Sequence, residues 1–352
     1  DRVQSSWLKS RHILVFRPSF SFCSVYITLC RRKIVKMSAE TESIRLSSGR
    51  KIPVLGLGTY APLEGEEEII EAVKTSVRAG YRHIDCAAIY RNERAVGHAL
   101  KELIVMGVVQ REDLFITSKL WNTCHIPDLV LPSLKKTLED LGLEYVDLYL
   151  VHWPMAYKEG GEMNPVDKNG KTLFSDVDFV DTWQALEDCR DMGLTKDIGL
   201  SNFNKNQIER LLDSARIPPV ALQVEVNCHI TNSKLIEYAK SKNIVVVAYA
   251  PLGAPSVHHN VTKLLDEPLL KELGEKYGKT PAQIALRFLI QQGIAVIPKS
   301  LNHTRIEENS KIFDFQLNED DITRLAALNS GSRSYDEKTA LEHKYYPFND
   351  EF

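Results

Sequence analysis

Tyr81-Arg-His-Ile-Asp-Cys-Ala-Ala-Ile-Tyr90 reads as a short buried strand, Tyr81 to Cys86, that runs into a turn. Asp85 stands at the C-terminal end of that strand and Tyr90 just beyond it. A carboxylate and a phenol raised at a strand mouth add nothing to packing, because burying a polar group costs free energy unless it finds a partner. They are a common beginning for a reactive site. Taken alone, the pair is equally what a helix cap or a structural ion pair leaves in a sequence. Its weight comes from what recurs at the other strand ends.

Upstream, Ile44-Arg-Leu-Ser-Ser-Gly-Arg-Lys-Ile52 alternates about a Ser-Gly turn and predicts a small β-hairpin. Pro53 to Thr59 reads as a strand. Glu66 to Ala79 reads as a helix: Ile69, Ile70, Val73 and Val77 fall at helical spacing, acids fill its first turn and Gly80 follows its end. Downstream, strands over 114–119, 146–152, 195–200, 220–226, 244–249 and 294–298 alternate with helices over 92–106, 127–141, 179–192, 204–215, 233–242, 281–292 and 304–312. A long insertion, 154–177, precedes the helix at 179, and further helices are predicted over 267–277 and 319–328. Short apolar strands each followed by a helix make a parallel sheet, and eight is the number that closes one into a barrel. The predicted fold class is therefore α/β, a (β/α)8 TIM barrel with an N-terminal hairpin plug and two extra helices. An open doubly wound sheet is the alternative on pattern alone. No Pro/Gly/Ser-rich linker divides 44–329, so residues 37–352 read as one barrel domain.

The chain has 352 residues, 43% apolar and 26% charged, with a formal charge of -3 that hides an asymmetry. Residues 1–36 hold eight Lys/Arg and one acid, against 36 basic and 46 acidic groups in the remainder. An acidic body argues against a nucleic-acid or anionic-membrane partner. Six scattered cysteines (Cys23, Cys30, Cys86, Cys124, Cys189, Cys228) with no CxxC pair suit a reduced, cytoplasmic protein rather than a disulfide or zinc framework. Residues 1–36 resemble a mitochondrial transit peptide in charge, and their uncharged run, Pro18 to Cys30, is too short to span a bilayer. Met37-Ser-Ala-Glu40 looks like a natural start, so 1–36 reads as upstream sequence or a dispensable leader outside the fold. A mitochondrial location follows only if that leader is a genuine targeting signal.

In a barrel of this kind the chemistry gathers at the C-terminal ends of the strands. Those positions hold Thr59, Asp85 with Tyr90, Lys119, His152, Ser201-Asn202, Gln223, Tyr249 and Lys299-Ser300, a polar set on strands otherwise built of Val, Ile and Leu. A phenol is a poor acid near neutrality, with a reference pKa of about 10. An ammonium at Lys119 is expected to lower that value and make Tyr90 a usable proton donor, with Asp85 holding Lys119 in place. His152 offers a donor to a carbonyl oxygen that is gaining charge. Together the four suit protonation of an oxygen while hydride reaches its carbon, which calls for a nicotinamide cofactor.

Gly56-Leu-Gly-Thr-Tyr-Ala61 matches a loose dinucleotide fingerprint, but Pro62, Leu63 and Gly65 separate it from the next helix, so it reads as a barrel strand end. Ile297-Pro-Lys-Ser-Leu-Asn-His-Thr-Arg305 is the better phosphate site: Lys299, Ser300, Asn302 and Arg305 lead into a helix N-terminus, where anions bind. Two cations and a hydroxyl suit a 2′-phosphate and favour NADPH/NADP+ over NADH. His258-His259 lacks carboxylate support and reads as loop, so no metal is expected.

From Ile44 to Phe352 the chain resembles the aldo-keto reductases, in their aldose/aldehyde reductase-like branch. The resemblance rests on Gly80 to Tyr90, Leu143-Glu-Tyr-Val-Asp-Leu-Tyr-Leu-Val-His-Trp-Pro154, Gly199-Leu-Ser-Asn-Phe-Asn204 and Ile297-Pro-Lys-Ser300. The separations of 29 between Tyr90 and Lys119 and 33 between Lys119 and His152 also agree. The resemblance implies a catalytic tetrad of Tyr90, Asp85, Lys119 and His152. It implies that Ser201, Asn202 and Gln223 hold the nicotinamide amide and Tyr249 stacks on its ring. It places Lys299, Ser300, Arg305, Glu308 and Asn309 at the adenosine end, with Gly58, Thr59, Tyr60, Asp85 and Leu252 also facing the cofactor. Tyr60, Tyr90, Trp121, His152 and Trp153 would line the pocket for a small-molecule carbonyl substrate.

The implied enzyme is a monomeric NADP-dependent reductase of aldehydes or ketones. The alternatives are a hydroxysteroid or ecdysteroid ketone reductase of the same family, and a cofactor-sensing binding subunit without catalysis. A Schiff-base aldolase is disfavoured by the ion-pair role of Lys119, and a double-bond reductase by the histidine at 152. Two departures stand out. Ala250-Pro-Leu-Gly-Ala254 lacks two hydroxyls expected in the cofactor clasp, and Val226-Asn227 replaces a common Cys-His. The loops at 154–178, 253–266 and 330–352 should set substrate choice, and the polar run Ser330 to Lys338 predicts a polar pocket.

Overall fold

The computed structural model describes residues 42–61, 65–254, 263–350 and 352. The leader assigned to residues 1–36 and the pair His258-His259 lie outside the described residues. A two-stranded hairpin, β1 (Ser43–Arg45) and β2 (Lys51–Pro53), pairs Ile44 with Ile52 and precedes the barrel. The barrel strands are β3 (Gly56–Gly58), β4 (His83–Asp85), β5 (Phe115–Leu120), β6 (Val146–Val151), β7 (Thr195–Ser201), β8 (Ala221–Glu225), β9 (Val245–Tyr249) and β10 (Ala295–Val296). They follow one another in chain order around an eight-stranded sheet in which each neighbouring pair is parallel. Parallel bridges from Leu55 to Val296 and from Gly58 to Lys299 join the first strand to the last. The predicted barrel is closed, which rules out the open sheet.

Ten described helices surround it: α1 (Glu66–Arg78), α2 (Glu93–Val105), α3 (Pro127–Leu141), α4 (Phe179–Asp191), α5 (Lys205–Leu212), α6 (Ser233–Ser241), α7 (Pro268–Tyr277), α8 (Pro281–Gln291), α9 (His303–Ser310) and α10 (Glu319–Ala326). The two beyond the barrel count are α7 and α10. Local chemistry sets many of their ends. Thr280 caps α8 with Pro281 at the first position and Gln283 closing a capping box. Asn302 caps α9 by accepting from Arg305 N at 3.0 Å. No described helix is long and apolar enough to cross a membrane. The described cysteines, Cys86, Cys124, Cys189 and Cys228, are free thiols.

Strand alternation sorts the core into two layers. Ile84, Ile116, Tyr149, Val151, Leu200, Leu222, Val224 and Val246 pack outward against the helices. Phe115, Leu148, Leu150, Val247 and Ala295 form an inner cluster with Leu46 and Ile52, so the hairpin's apolar residues enter the barrel's own packing. Arg50 fastens this plug, reaching Asp147 at 2.5 Å and Asp197 at 3.3 Å, while Arg111 holds the other oxygen of Asp147 at 2.8 Å.

The structure shortens several predicted strands. Of the stretch 53–59 only Gly56–Gly58 is barrel strand, because Pro53 belongs to β2 and pairs with Ser43. The stretch 294–298 contracts to Ala295–Val296, since Pro298 has no amide hydrogen to give to a ladder. The two glycines of the dinucleotide-like string serve packing. A Cβ at Gly56 would lie 2.8 Å from the His83 ring, and one at Gly58 would lie 2.8 Å from the Ile297 carbonyl oxygen. They let β3 approach its neighbours at the barrel seam.

Candidate active site

Barrel closure brings the strand-end residues to one mouth. Asp85 ends β4, and one 3-10 turn, Ala88–Tyr90, carries the phenol, with Arg91 closing the turn in the left-handed region at φ 58°. Lys119 sits inside β5, wholly buried, and forms an ion pair with Asp85. Its ammonium also donates to the Cys86 carbonyl at 2.8 Å and approaches the Tyr90 hydroxyl at 3.4 Å. His152 follows β6, with its ring 6.0 Å from Tyr90 and 5.4 Å from Trp121. The four residues of the expected tetrad are therefore neighbours, although they are spread over 68 positions of sequence.

The electrostatics differ from expectation at one point. The phenol of Tyr90 is pushed well above its usual value, first by burial and next by the nearby Asp85 carboxylate. Charge alone predicts the opposite, with Lys119 lowering it. One ammonium already neutralised by Asp85 does not outweigh the loss of water around the ring. The hydroxyl therefore stays protonated, which is the form a proton donor needs at the outset. What Lys119 offers at 3.4 Å is a cation beside the phenolate left once that proton has gone. His152 is held neutral, its imidazole driven well below the ordinary range by burial and by Lys119. Its Nδ1 is buried without a hydrogen-bond partner, leaving Nε2 to meet an oxygen in the mouth.

Beside this group lies a second polar set. Asn202, in the left-handed region at φ 61°, donates from Nδ2 to the His152 carbonyl at 3.0 Å and to Ser201 Oγ at 3.1 Å. It accepts from the Tyr249 hydroxyl at 2.8 Å. Gln223 Nε2 donates to the second oxygen of Asp85 at 2.7 Å. Thr59 donates through both its amide and its hydroxyl to the Asp85 carbonyl, at 3.1 and 2.8 Å. Ser201, Asn202 and Gln223 are all buried, and their amides and hydroxyl cluster beside the Asp85–Lys119 pair, a polar set of the kind that fixes the orientation of a ligand.

Lys299 and Ser300 follow β10, Arg305 lies in the first turn of α9, and Glu308 and Asn309 lie further along that helix. Lys299, Ser300 and Arg305 flank the N-terminus of α9, and their chemistry suits a phosphate there. Leu252 is half-buried in the turn after β9, where Ala250 takes φ 45°, a strained conformation for a residue with a Cβ.

The pocket walls also depart from expectation. The run Ser330 to Lys338 is polar in sequence, yet it places Tyr335 edge-on to Tyr249 at 5.7 Å and to Tyr60 at 6.2 Å, and Tyr60 lies 5.1 Å from Tyr90. Trp121, Trp153, Tyr157 and Tyr346 pack together with Phe174 and Phe348. Aromatic rings therefore stand at the mouth beside the polar groups already described. The polar residues of the run had hidden this, because its peptide groups bond inward to Glu225.

The aldo/keto reductase family model matches residues 54–330. The chain belongs to the aldo/keto reductase family. Bovine (Bos taurus) prostaglandin F synthase 1 is 45% identical over 323 residues, covering 90% of this chain and all of that protein. Mouse (Mus musculus) aldo-keto reductase family 1 member D1 is 46% identical over 327 residues, with the same shares covered. The structure of the aldose reductase from Schistosoma japonicum superposes with a TM-score of 0.84 at 44% identity, covering 88% of this chain and all of that one. As an aldo/keto reductase this chain is an oxidoreductase of carbonyl and alcohol groups.

Behind Lys119 lies a buried acid that sequence reasoning missed. Glu93, the first residue of α2, accepts from Ser118 Oγ at 2.6 Å and Thr137 Oγ1 at 3.0 Å. Ser118 precedes Lys119 on β5, so Glu93 braces the strand that carries the lysine. Burial raises its carboxyl from 4.5 to about 7. Between those values the unfolded chain gives up the proton and the folded one keeps it. Stability contributed at low pH is therefore lost as pH climbs through that window. Glu93→Gln is expected to flatten the fall in urea midpoint from about pH 5 to about pH 8; an unchanged slope refutes the assignment.

Proposed function

We propose that this chain reduces an aldehyde or ketone to the alcohol with NADPH, with Tyr90 as general acid. The observation that carries the reading is the contact line Asp85–Lys119–Tyr90 with a neutral His152 beside the phenol. When bound, NADPH supplies the hydride that the carbonyl carbon receives. The protein's own residues manage the oxygen. His152 donates a hydrogen bond that polarises the carbonyl, and Tyr90 hands over its proton as the oxygen becomes an alkoxide. Lys119 stabilises the phenolate that results, and Asp85 keeps the ammonium aimed by occupying its other side. The same ion pair speaks against a Schiff-base role, since a protonated lysine is not a nucleophile.

Ser201, Asn202 and Gln223 would hold the nicotinamide amide, with Tyr249 against its ring. Gly58, Thr59, Tyr60 and Leu252 would border it, and Lys299, Ser300, Arg305, Glu308 and Asn309 would take the adenosine end. Each guanidinium or ammonium contact to a phosphate contributes about 1.5–3 kcal/mol, so Lys299→Met with Arg305→Ala should weaken NADPH binding by about 10²–10⁴-fold. NADH has no 2′-phosphate to lose and should be little affected. Fluorescence titration with both cofactors decides it, and equal weakening excludes a 2′-phosphate role.

The aromatic mouth favours a second, narrower reading, a flat polycyclic ketone as substrate, because large rings bury well against aromatic faces. A panel of sugar aldehydes, aliphatic aldehydes and steroid ketones, followed by NADPH absorbance, tests both readings. No turnover of any carbonyl would leave the cofactor-sensing subunit as the better account. The proposal extends to a monomer acting in the cytoplasm, for which the acidic body and the free thiols give support.

A further inference from the structure

The end of β8 and the residues after it carry polar side chains at every second position, Gln223, Glu225 and Asn227. Val224 and Val226 between them pack into the helix-facing core. Each polar group ties a different segment. Gln223 donates to Asp85 at 2.7 Å, and Asn227 donates to the Ala250 carbonyl at 3.2 Å, bracing the strained turn after β9. Glu225 is the unusual member. It is fully buried, and its carboxylate accepts the Ser334 amide on both oxygens at 2.9 Å and the Tyr335 amide at 3.0 Å. A buried carboxylate met in this way by backbone N–H groups fixes the segment that supplies them, because lifting the segment strips a fully buried group of those bonds.

The two amides lie at the base of the Tyr335 ring, which stands between Tyr60 and Tyr249 beside the candidate acid. The same segment is held further along. Arg333 stacks over Phe348 at 3.7 Å, and Tyr157 donates to Glu337 at 2.9 Å. We propose that Glu225 is a positioning residue that latches the C-terminal segment to the barrel, so that Tyr335 roofs the mouth and selects for large flat carbonyl substrates over small ones. The specificity half of this rests on the reductase reading; the latch does not. A small aldehyde reaches Tyr90 and His152 without touching the roof, whereas a polycyclic ketone must lie along it.

Glu225→Gln keeps the shape but leaves one acceptor oxygen and points an N–H₂ group at N–H donors. Hydrogen exchange at the Ser334 and Tyr335 amides should accelerate about tenfold or more, and KM for a flat steroid ketone should rise by a similar factor. For a small aliphatic aldehyde kcat/KM should stay within about threefold. Tyr335→Ala leaves the carboxylate and both donors in place. It should reproduce the ketone defect while the Ser334 amide exchanges as in the unaltered protein. Unchanged exchange in Glu225→Gln overturns the latch, and equal loss for both substrates overturns its role in selection. If exchange accelerates in a protein that reduces neither compound even when unaltered, the reductase reading and the selection claim fall and the latch stands.

Discussion

Tyr90→Phe removes carbonyl reduction almost completely while the cofactor binds as before. The loss should be on the order of 10²–10⁴ in kcat, the range that a positioned proton donor contributes. Two features of the site make the substitution clean. The ring's neighbours, Tyr60 at 5.1 Å and His152 at 6.0 Å, are ring contacts that phenylalanine retains. The hydroxyl's contact to Lys119 at 3.4 Å is long, and the ammonium keeps Asp85 and the Cys86 carbonyl when the hydroxyl goes. Stability should therefore change little, and a defect in turnover can be assigned to the missing proton. Because the phenol is driven up and not down, the intact enzyme should keep its acid across the neutral range, with no loss of rate as pH rises from about 6 to about 8. Full turnover by the phenylalanine variant, measured with cofactor affinity in parallel, removes Tyr90 from the role of acid.

The barrel was legible because every strand is short, apolar and followed by a periodic helix, and that alternation has few alternatives. The mouth was legible for a related reason: a polar residue at or near the end of an apolar strand contradicts its surroundings, as Asp85, Lys119 and Gln223 do. Other features were not. The direction of the Tyr90 shift depends on how much water the fold removes from one ring, which no spacing reveals. The β3 boundary depends on the hairpin claiming Pro53. Glu225 and Tyr335 meet across 110 positions, and a run of Ser, Arg, Asp and Lys around Tyr335 reads as solvated loop until its amides are seen to face a buried carboxylate. A signal was present all the same. Gln223, Glu225 and Asn227 alternate with Val224 and Val226 at strand period, which places an acid on the inner face of a barrel.

The ion pair at the centre gives the second large effect. Asp85 is 1% exposed and Lys119 is 0% exposed, and Asp85 Oδ2 also accepts from Gln223 at 2.7 Å. Asp85→Asn replaces an anion that accepts on both sides with an amide that must direct its N–H₂ group at one of two donors, Lys119 or Gln223. Removing one partner of a buried pair leaves an uncompensated charge and costs about 3–5 kcal/mol, so the urea midpoint should fall sharply at constant slope. Adding Lys119→Met removes the stranded charge and keeps the length of the side chain inside β5. Replacing both members of a buried pair is often near neutral, so the double variant should be more stable than Asp85→Asn alone. Neither variant should reduce a carbonyl: the double variant lacks the cation beside the phenolate, and in Asp85→Asn the ammonium has lost the carboxylate that aims it at Tyr90. Stability and activity should thus separate: losing the pair as a unit is expected to cost the fold little, whereas under the proposed mechanism it takes away what stabilises the Tyr90 phenolate. A double variant no more stable than the single one would show that the cost lies in the Asp85 hydrogen bonds and not in the buried ammonium.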